Sequence, residues 1–324
     1  MSSPLLAATG LVTQVGKAGL RAVDNVDIHL WAGEVLGIVG ESGSGKTTLA
    51  RTLLGQQQES AGEICLHQKR VSGVEPRRAR AARRVIQYVH QDQAAALDPW
   101  WRIGNTLHET LRVSGVRNSD ERKERIEQML KAVGLHTGVL ERYPHELSGG
   151  QIRRIGLARI LSLRPEIVIL DEPTAGLDLS VQANVLRLFK DMQAQFNLSY
   201  IMVSHDLSVV RLMCDRVAVM YLGKIVEVAP SQQLFESPAH PYTRSMLGAA
   251  PRVDPERQVQ SSTLNGDPPS LMKTPDGCRF RTRCDHATDA CSRHVPELET
   301  VSGEHSVACL RWRDLTSFNL TRSH

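Results

Sequence analysis

Residues 40–47 carry glycines at the spacing of a phosphate-binding loop, and they read Gly40-Glu41-Ser42-Gly43-Ser44-Gly45-Lys46-Thr47. The apolar run 35–39 before them predicts a buried strand, and the leucines after them recur at helical spacing as far as Gly55. Glycines between a strand and a helix let backbone N–H groups curl around phosphate oxygens at the positive end of the helix dipole. Lys46 then supplies charge for the β- and γ-phosphates, and the Thr47 hydroxyl supplies a ligand for Mg²⁺. The stretch therefore predicts a nucleoside-triphosphate site.

Length and charge set the broad class. The 324 residues suffice for one large domain with a small appendage. Lys plus Arg number 39 and Asp plus Glu number 35, and the resulting net charge of +4 does not by itself indicate a nucleic-acid partner. The arginine cluster in residues 77–84 has no interleaved aromatic residues, so we interpret it as a solvated face. No apolar run approaches the roughly 18 residues of a membrane-spanning helix, and no secretory signal is recognisable, so we expect the chain inside the cell.

A second helix N-terminus with accessible backbone is predicted at residues 147–151, which read Leu147-Ser148-Gly149-Gly150-Gln151. Ser148 is a natural N-cap for the apolar-periodic residues that follow it. Gly149 and Gly150 leave the first-turn N–H groups uncovered by side chains. The sequence therefore predicts two separate anion-binding helix ends.

Polar residues follow three predicted strands at the end where α/β sheets bind their ligands. Asp171 and Glu172 close the apolar run 167–170, which places one carboxylate on Mg²⁺ and the other beside an attacking water. His205 follows the strand 199–203, and we expect it to contact the γ-phosphate. Gln91 follows the strand 85–89 and is expected to reach the nucleotide.

Three further stretches organise the chain. Residues 105–146 are helical in pattern, and residues 250–276 are rich in proline and polar residues, as is typical of a linker. A long helix is predicted after residue 178, and its apolar stripe is expected to face the core. The stripe consists of Val181, Val185, Leu188, Met192 and Phe196.

In this order, the motifs resemble those of an ABC-transporter ATPase. The matching segments are Walker A at 40–47, the Q-loop at Gln91, the signature motif at 147–151, Walker B at 167–172, the D-loop at 175–178 and the H-loop at His205. The resemblance implies an α/β fold with a parallel core sheet, an antiparallel β-subdomain and an inserted helical subdomain at about 92–160. It also implies an ATPase domain over residues 1–249, the linker 250–276, and a small Cys-rich extension over 277–324.

The resemblance assigns roles within an ATP site that two subunits share. Catalysis is implied for Glu172, His205, Gln91 and Lys46, and Mg²⁺ binding for Thr47, Gln91 and Asp171. ATP contacts are implied for Gly40, Glu41, Ser42, Gly43, Ser44, Gly45, Lys46, Thr47 and Thr48, and for Ser148, Gly149, Gly150, Gln151 and Asp178. The family normally places an adenine-stacking aromatic where this chain has Val15.

The C-terminal residues narrow the resemblance. His240-Pro241-Tyr242-Thr243 and the tail from Gly277 to Cys309 resemble the ATPase subunits of bacterial oligopeptide, dipeptide and nickel importers. The sequences of residues 40–51 and 96–99 resemble the second of the two ATPase subunits that such importers usually carry more closely than the first. The implied partners are a second ATPase subunit, identical or different, two membrane permeases and an extracytoplasmic solute-binding protein, with no nucleic acid. The implied location is peripheral, at the cytoplasmic face of the inner membrane.

A soluble ABC ATPase of the DNA-repair or translation type is the alternative. Such proteins usually carry two cassettes or long coiled-coil insertions, and this chain shows one cassette and no sustained heptads.

The tail also predicts a metal centre. Its four cysteines are Cys278, Cys284, Cys291 and Cys309, a number that both Zn²⁺ and a [4Fe–4S] cluster accept. Their spacings are wider than those of zinc knuckles, and the resemblance implies the cluster; zinc and unligated thiols remain alternatives. Arg279, Arg281 and Arg283 are expected to offset the negative charge of the cluster. Asp285 replaces the proline usual after the second cysteine.

Overall fold

The computed structural model describes residues 3–89, 97–249 and 269–315. The chain divides into two compact units, one made of residues 1–80 with 201–324 and the other of residues 81–200. No helix in the described ranges combines the length and the apolar composition needed to cross a membrane.

The described residues form twelve strands. They are β1 (Leu6–Val15), β2 (Leu20–Leu30), β3 (Val35–Val39), β4 (Ala61–Leu66), β5 (Lys69–Arg70), β6 (Ile86–Val89), β7 (Ile167–Asp171), β8 (Ser199–Val203), β9 (Arg216–Tyr221), β10 (Lys224–Pro230), β11 (Glu299–Ser302) and β12 (His305–Val307).

The same residues form ten α-helices and several short 3₁₀ turns. The helices are α1 (Lys46–Leu54), α2 (Pro76–Ala82), α3 (Ile103–Val113), α4 (Ser119–Ala132), α5 (Gly149–Leu161), α6 (Leu179–Phe196), α7 (Leu207–Met213), α8 (Ser231–Glu236), α9 (Pro241–Ala249) and α10 (Asp289–Arg293).

The first unit contains an antiparallel sheet with the strand order β2-β1-β4-β5. Ala8 of β1 pairs with Ile28 on one side and with Ile64 on the other. Buried apolar side chains alternate with more exposed ones along β1, as expected for strands with one face on a core. The antiparallel β-subdomain that the resemblance implies is confirmed.

The first unit also contains strands in the order β11-β12-β10-β9-β3. β3 and β9 run parallel, with Gly37 opposite Val217, and both are buried throughout. β10 pairs antiparallel with β12, with Glu227 opposite Val307. The residues 269–315, called here the C-terminal segment, therefore contribute strands that extend this part of the fold.

The second unit combines parallel strands with helices. β6 and β7 are parallel, with Tyr88 opposite Ile169. The predicted helical stretch consists of α3 and α4 followed by 3₁₀ turns over Thr137–Glu141 and Pro144–Glu146. α3, α4 and α5 bury their apolar faces, which include Leu107, Leu130 and Ile155.

The predicted apolar stripe of α6 is partly wrong. The buried residues of this helix are Leu186, Phe189 and Met192, whereas Val181 is exposed. The N-terminal turns of α6 are solvated, and its later turns pack at Tyr200, whose hydroxyl donates to the carbonyl of Phe189 at 2.9 Å. The apolar periodicity of the sequence predicts the helix correctly, but it does not show at which turn the helix becomes buried.

Candidate functional site

The phosphate loop is built on two glycines that no other residue can replace without movement. Gly40 has φ 150° and Gly45 has φ 105°. A Cβ atom on Gly40 would lie 2.1 Å from the carbonyl oxygen of Met220, and one on Gly45 would lie 2.1 Å from the carbonyl oxygen of Ala22. Close approach of neighbouring strands therefore fixes both positions, as the sequence pattern predicts.

Lys46 begins α1 and is turned into the loop. Only 8% of the residue is exposed, and its ammonium donates to the carbonyls of Gly40 and Glu41, both at 2.8 Å. The N-cap residue Gly45 provides no side-chain cap, so an anion can serve as the cap of this helix. α1 ends at Leu54 with Gly55 as its left-handed C-cap, which confirms the predicted stop.

Two side chains that sequence reasoning missed hold the second residue of the loop. The Glu41 N–H donates to the Tyr242 hydroxyl at 2.8 Å, and the Arg283 guanidinium donates to both Glu41 carboxylate oxygens at 2.7 and 3.0 Å. Arg279 likewise pairs with Asp24 and donates to the Leu222 carbonyl. Arg279 and Arg283, which were expected to offset the charge of a cluster, therefore pair with the carboxylates of Asp24 and Glu41.

A hollow of about 770 Å³ borders the phosphate loop. Its lining includes residues 41–44, Leu20 and Tyr221, together with Leu271 and Met272 of the C-terminal segment. Val15, where the family resemblance places an aromatic, is half-buried and does not line this hollow. Apolar contact beside the loop therefore comes from aliphatic side chains and from Tyr221.

The two predicted carboxylates stand at the end of β7. The Asp171 carboxylate accepts a hydrogen bond from the Tyr88 hydroxyl, which orients it from the neighbouring parallel strand. Glu172 has φ 51°, a left-handed conformation that is uncommon for residues other than glycine. Such backbone geometry concentrates at functional sites, which is consistent with the predicted role of Glu172.

His205 is exposed directly after β8, where the sequence places it. Its neighbours are ordered, because the Asp206 N–H donates to the Ser204 hydroxyl at 3.0 Å and Asp206 caps α7. Gln91, the remaining predicted strand-end residue, lies outside the described residues.

The second predicted helix end is a complete capping box. The Gln151 N–H donates to the Ser148 hydroxyl at 3.3 Å, and the Ser148 N–H donates to the Gln151 side-chain oxygen at 3.0 Å. Gly149 and Gly150 are exposed, and a Cβ atom added to either would meet nothing within 4 Å. The helix N-terminus is therefore presented to solvent without crowding.

Asp178 is also the N-cap of a helix. Its carboxylate accepts from the N–H groups of Ser180 and Val181 at 3.1 and 2.9 Å. The hydrogen bond from Val181 is the leading cause that lowers the pKa of the Asp178 carboxyl. This residue is therefore held in place at an exposed turn between β7 and α6.

The four tail cysteines line one hollow of about 350 Å³. Burial raises the pKa of Cys284 and of Cys309 to about 11, and it also raises the pKa of Cys278. Arg281 and Arg311 line the same hollow. Within the described part of the chain, no three or more His, Cys, Asp or Glu side chains are gathered as ligands of a single metal ion.

The chain matches two protein families. Residues 23–175 match the family described as ABC transporter, and residues 226–291 match the oligopeptide/dipeptide transporter C-terminal region. A putative peptide import ATP-binding protein of Brucella ovis is 45% identical, over 95% of this chain and 98% of the relative. The di/tripeptide transport ATP-binding protein DppF of Pseudomonas aeruginosa is 42% identical, over 91% of each chain.

Two solved structures share the fold. cbiO1 from Clostridium perfringens, part of the ABC transporter complex cbiONQ, has a TM-score of 0.66 and 28% identity, over 73% of this chain and 92% of its own. The ATP-binding cassette MJ0796, solved as a post-hydrolysis dimer bound to ADP and Pi, has a TM-score of 0.61 and 25% identity, over 70% of this chain and 98% of its own. The phosphate loop, Ser148 and Asp171 fall within the first family match, and three of the four cysteines within the second.

Proposed function

Because the chain belongs to the ABC-transporter ATPases that carry the oligopeptide/dipeptide C-terminal region, we propose that it hydrolyses ATP to drive import of a peptide-like solute. The observation that carries this proposal is the glycine-fixed phosphate loop with Lys46 turned into it. The named relatives are peptide transport proteins, and this similarity supports the substrate class. None of the relatives reported above supports the soluble alternative.

Each loop residue contributes a defined part of the chemistry. The backbone of residues 40–48 and the Lys46 ammonium bind the phosphates, and the ammonium exchanges the loop carbonyls for phosphate oxygens. The hydroxyl of Thr47 and the carboxylate of Asp171 are hard oxygen donors that fit Mg²⁺, with Gln91 as a further ligand. When bound, Mg²⁺ neutralises phosphate charge. Glu172 orients the attacking water and takes its proton, and His205 contacts the γ-phosphate.

Glu172→Gln tests this assignment. The amide keeps the size of the side chain but cannot accept the proton of the attacking water, so ATP turnover should fall by about 10²-fold or more. ATP binding should be retained, because the phosphate loop is untouched. Steady-state hydrolysis and equilibrium ATP binding on the same preparation measure both quantities. A variant that binds ATP and hydrolyses it at a near-normal rate would remove Glu172 from this role.

The ATP site is completed by a second subunit in this proposal. Ser148, Gly149 and Gln151 lie at an exposed helix N-terminus, and a γ-phosphate held by the partner subunit would become its anion. Asp178, which is exposed and held in place as the N-cap of α6, lies at the same kind of surface. The dimeric structure of MJ0796 supports a paired arrangement by similarity. The partner is an identical or a paired ATPase subunit.

The remaining partners are two permeases and an extracytoplasmic solute-binding protein, with this subunit peripheral at the cytoplasmic face of the membrane. A groove in residues 81–200 supports a docking partner, because it is lined by Trp101, Val113 and Arg84, and Trp100 beside it is 84% exposed. Exposed aromatic residues of this kind are enriched at protein interfaces. Co-purification with membrane permeases is the direct test.

We further propose that the Cys-rich extension holds a [4Fe–4S] cluster, with Zn²⁺ as the alternative. Support comes from the position of all four cysteines in the lining of one hollow. A single Zn²⁺ would need sulfurs roughly 4 Å apart, since each Zn–S bond is about 2.3 Å. When bound, the cluster would tie residues 278–309 together.

Metal analysis decides between the two groups. Protein purified without oxygen should be brown and contain about four irons per chain. Replacing Cys291 by serine should lower the iron content. The same change at Cys65, which does not line the hollow, should not. Colourless protein with stoichiometric zinc would decide for Zn²⁺.

A further inference from the structure

Glu41 of the phosphate loop is held by hydrogen bonds to three other residues, Tyr242, Lys46 and Arg283. Its N–H donates to the Tyr242 hydroxyl, its carbonyl accepts from Lys46, and its carboxylate accepts two hydrogen bonds from Arg283. These contacts fix the backbone on both sides of the residue as well as its side chain. The start of the phosphate loop is therefore shaped by residues 201 and 242 positions away in sequence.

Arg283 is itself rigidly placed. Its side chain is only 5% exposed, and it belongs to the 3₁₀ turn Arg281–Arg283, whose first hydrogen bond runs from the Arg283 N–H to the Phe280 carbonyl at 3.0 Å. The Phe280 ring packs edge-on against Tyr221 at 5.3 Å and lies 5.4 Å from Tyr242. The turn that carries the guanidinium thus rests on the same aromatic cluster that holds the Glu41 N–H.

The charge of Glu41 explains why such a partner is needed. A carboxylate in a phosphate loop repels the triphosphate that the loop binds, and its side chain is 22% exposed. Arg283 donates to it through both terminal guanidinium nitrogens, Nη1 and Nη2, a geometry that fixes direction and neutralises charge together. Without Arg283, the Glu41 carboxylate would be attracted to the Lys46 ammonium, which is proposed to bind phosphate.

We propose that Arg283 of the C-terminal segment is a positioning residue of the ATP site, acting through Glu41. It holds the loop open for phosphate and removes the repulsion that an unpaired Glu41 would create. The inference rests on the proposed role of residues 40–47 in ATP binding, and it adds a residue from outside the ATPase motifs to that site.

A double-mutant cycle tests the inference on the purified full chain, with equilibrium binding of a fluorescent, slowly hydrolysed ATP analogue as the readout. Arg283→Gln leaves Glu41 unpaired and should weaken binding about tenfold, and more at low salt. Glu41→Gln should weaken it by no more than about threefold. The double variant should bind like Glu41→Gln, and therefore more tightly than Arg283→Gln alone. A merely structural role of Arg283 would not give this rescue.

Arg281→Gln is the matched control. Arg281 lies in the same turn but donates to the Asp276 carbonyl, so ATP binding should stay at the wild-type value. If Arg283→Gln does not fold, Glu41→Asp provides the test. The shorter aspartate side chain cannot accept both hydrogen bonds from the Arg283 guanidinium, so this variant should bind ATP about tenfold more weakly.

Two results would overturn the inference: wild-type affinity in Arg283→Gln or in Glu41→Asp, or strictly additive losses in the cycle. Lys46→Ala separates this outcome from failure of the proposed function. It removes a phosphate contact directly, so binding that survives Lys46→Ala would show that the loop is not the ATP site.

Discussion

The two helix N-termini that carry the nucleotide motifs are built in opposite ways. At α1, Gly40 and Gly45 lie against neighbouring backbone, the N-cap residue offers no side chain, and the loop is braced from the C-terminal segment. At α5, the glycines meet nothing within 4 Å, and Ser148 and Gln151 cap the helix themselves. The terminus of α1 is enclosed by residues of its own unit, whereas the terminus of α5 is an exposed surface.

This difference indicates how the proposed shared site would divide its work. The enclosed terminus of α1 is proposed to bind a triphosphate selectively, and its geometry is fixed by close contacts that an added Cβ atom would break. In that proposal the exposed terminus would form and release contacts with the partner, so its caps are its own side chains and the helix end is stable without a partner. The same backbone chemistry would thus serve nucleotide binding at one helix and subunit assembly at the other.

Alanine substitution of one glycine at each terminus should separate the two designs most strongly. In Gly45→Ala the new Cβ would lie 2.1 Å from the Ala22 carbonyl oxygen at φ 105°, so the loop must shift. We expect ATP affinity to fall by about a hundredfold or more, since phosphate contacts depend on loop geometry. Gly149→Ala meets no atom and should bind ATP normally. Equal losses in both variants would refute the contrast.

Ser148→Arg tests whether the exposed terminus serves assembly. The side chain fills the space that a phosphate of the partner would occupy, yet leaves residues 40–47 unchanged. ATP binding to the isolated chain should persist, whereas ATP-driven dimerisation should weaken by about a hundredfold. Light scattering with the Glu172→Gln background, which holds ATP, measures the assembly. Full-rate hydrolysis that is independent of protein concentration would argue against a shared site.

The smallest expected effect concerns the self-capping of α5. Gln151→Ala removes the side-chain oxygen that accepts from the Ser148 N–H, and should lower the free energy of unfolding by roughly 1 kcal/mol. Gln128→Ala in α4, which removes only a 3.2 Å contact with Glu124 on an exposed face, is the control and should change it by less than about 0.5 kcal/mol. Denaturant unfolding measures both. Identical stabilities would mean that the cap contributes nothing.

Local signals in the sequence predicted the features that local physics controls. The strand 35–39, the helix that stops at Gly55 and the cap at Ser148 all follow from residue type and spacing, and the structure confirms them. Asp171 and Glu172 also lie at the end of a buried strand as expected. These features need no knowledge of distant contacts.

Features that depend on tertiary packing were not predictable in this way. The stripe on α6 failed at Val181 because periodicity does not reveal which turns meet a neighbour. Arg283 stands beside Cys284 in sequence, and that proximity suggested a role at the cysteines, whereas the direction of its side chain is set by a turn resting on Phe280. Its partner, Glu41, is 242 residues away, and no spacing rule connects the two.

The distance between Glu41 and Arg283 also has a consequence for biosynthesis. Chains are made at about 5–20 residues per second, so the ribosome completes the phosphate loop roughly 12 to 50 seconds before it adds the arginine that braces it. During that interval the nascent chain carries every residue of the loop while Glu41 has no guanidinium to meet. Full affinity for nucleotide should therefore arrive late in translation, so that an interrupted chain competes poorly for ATP with a finished one.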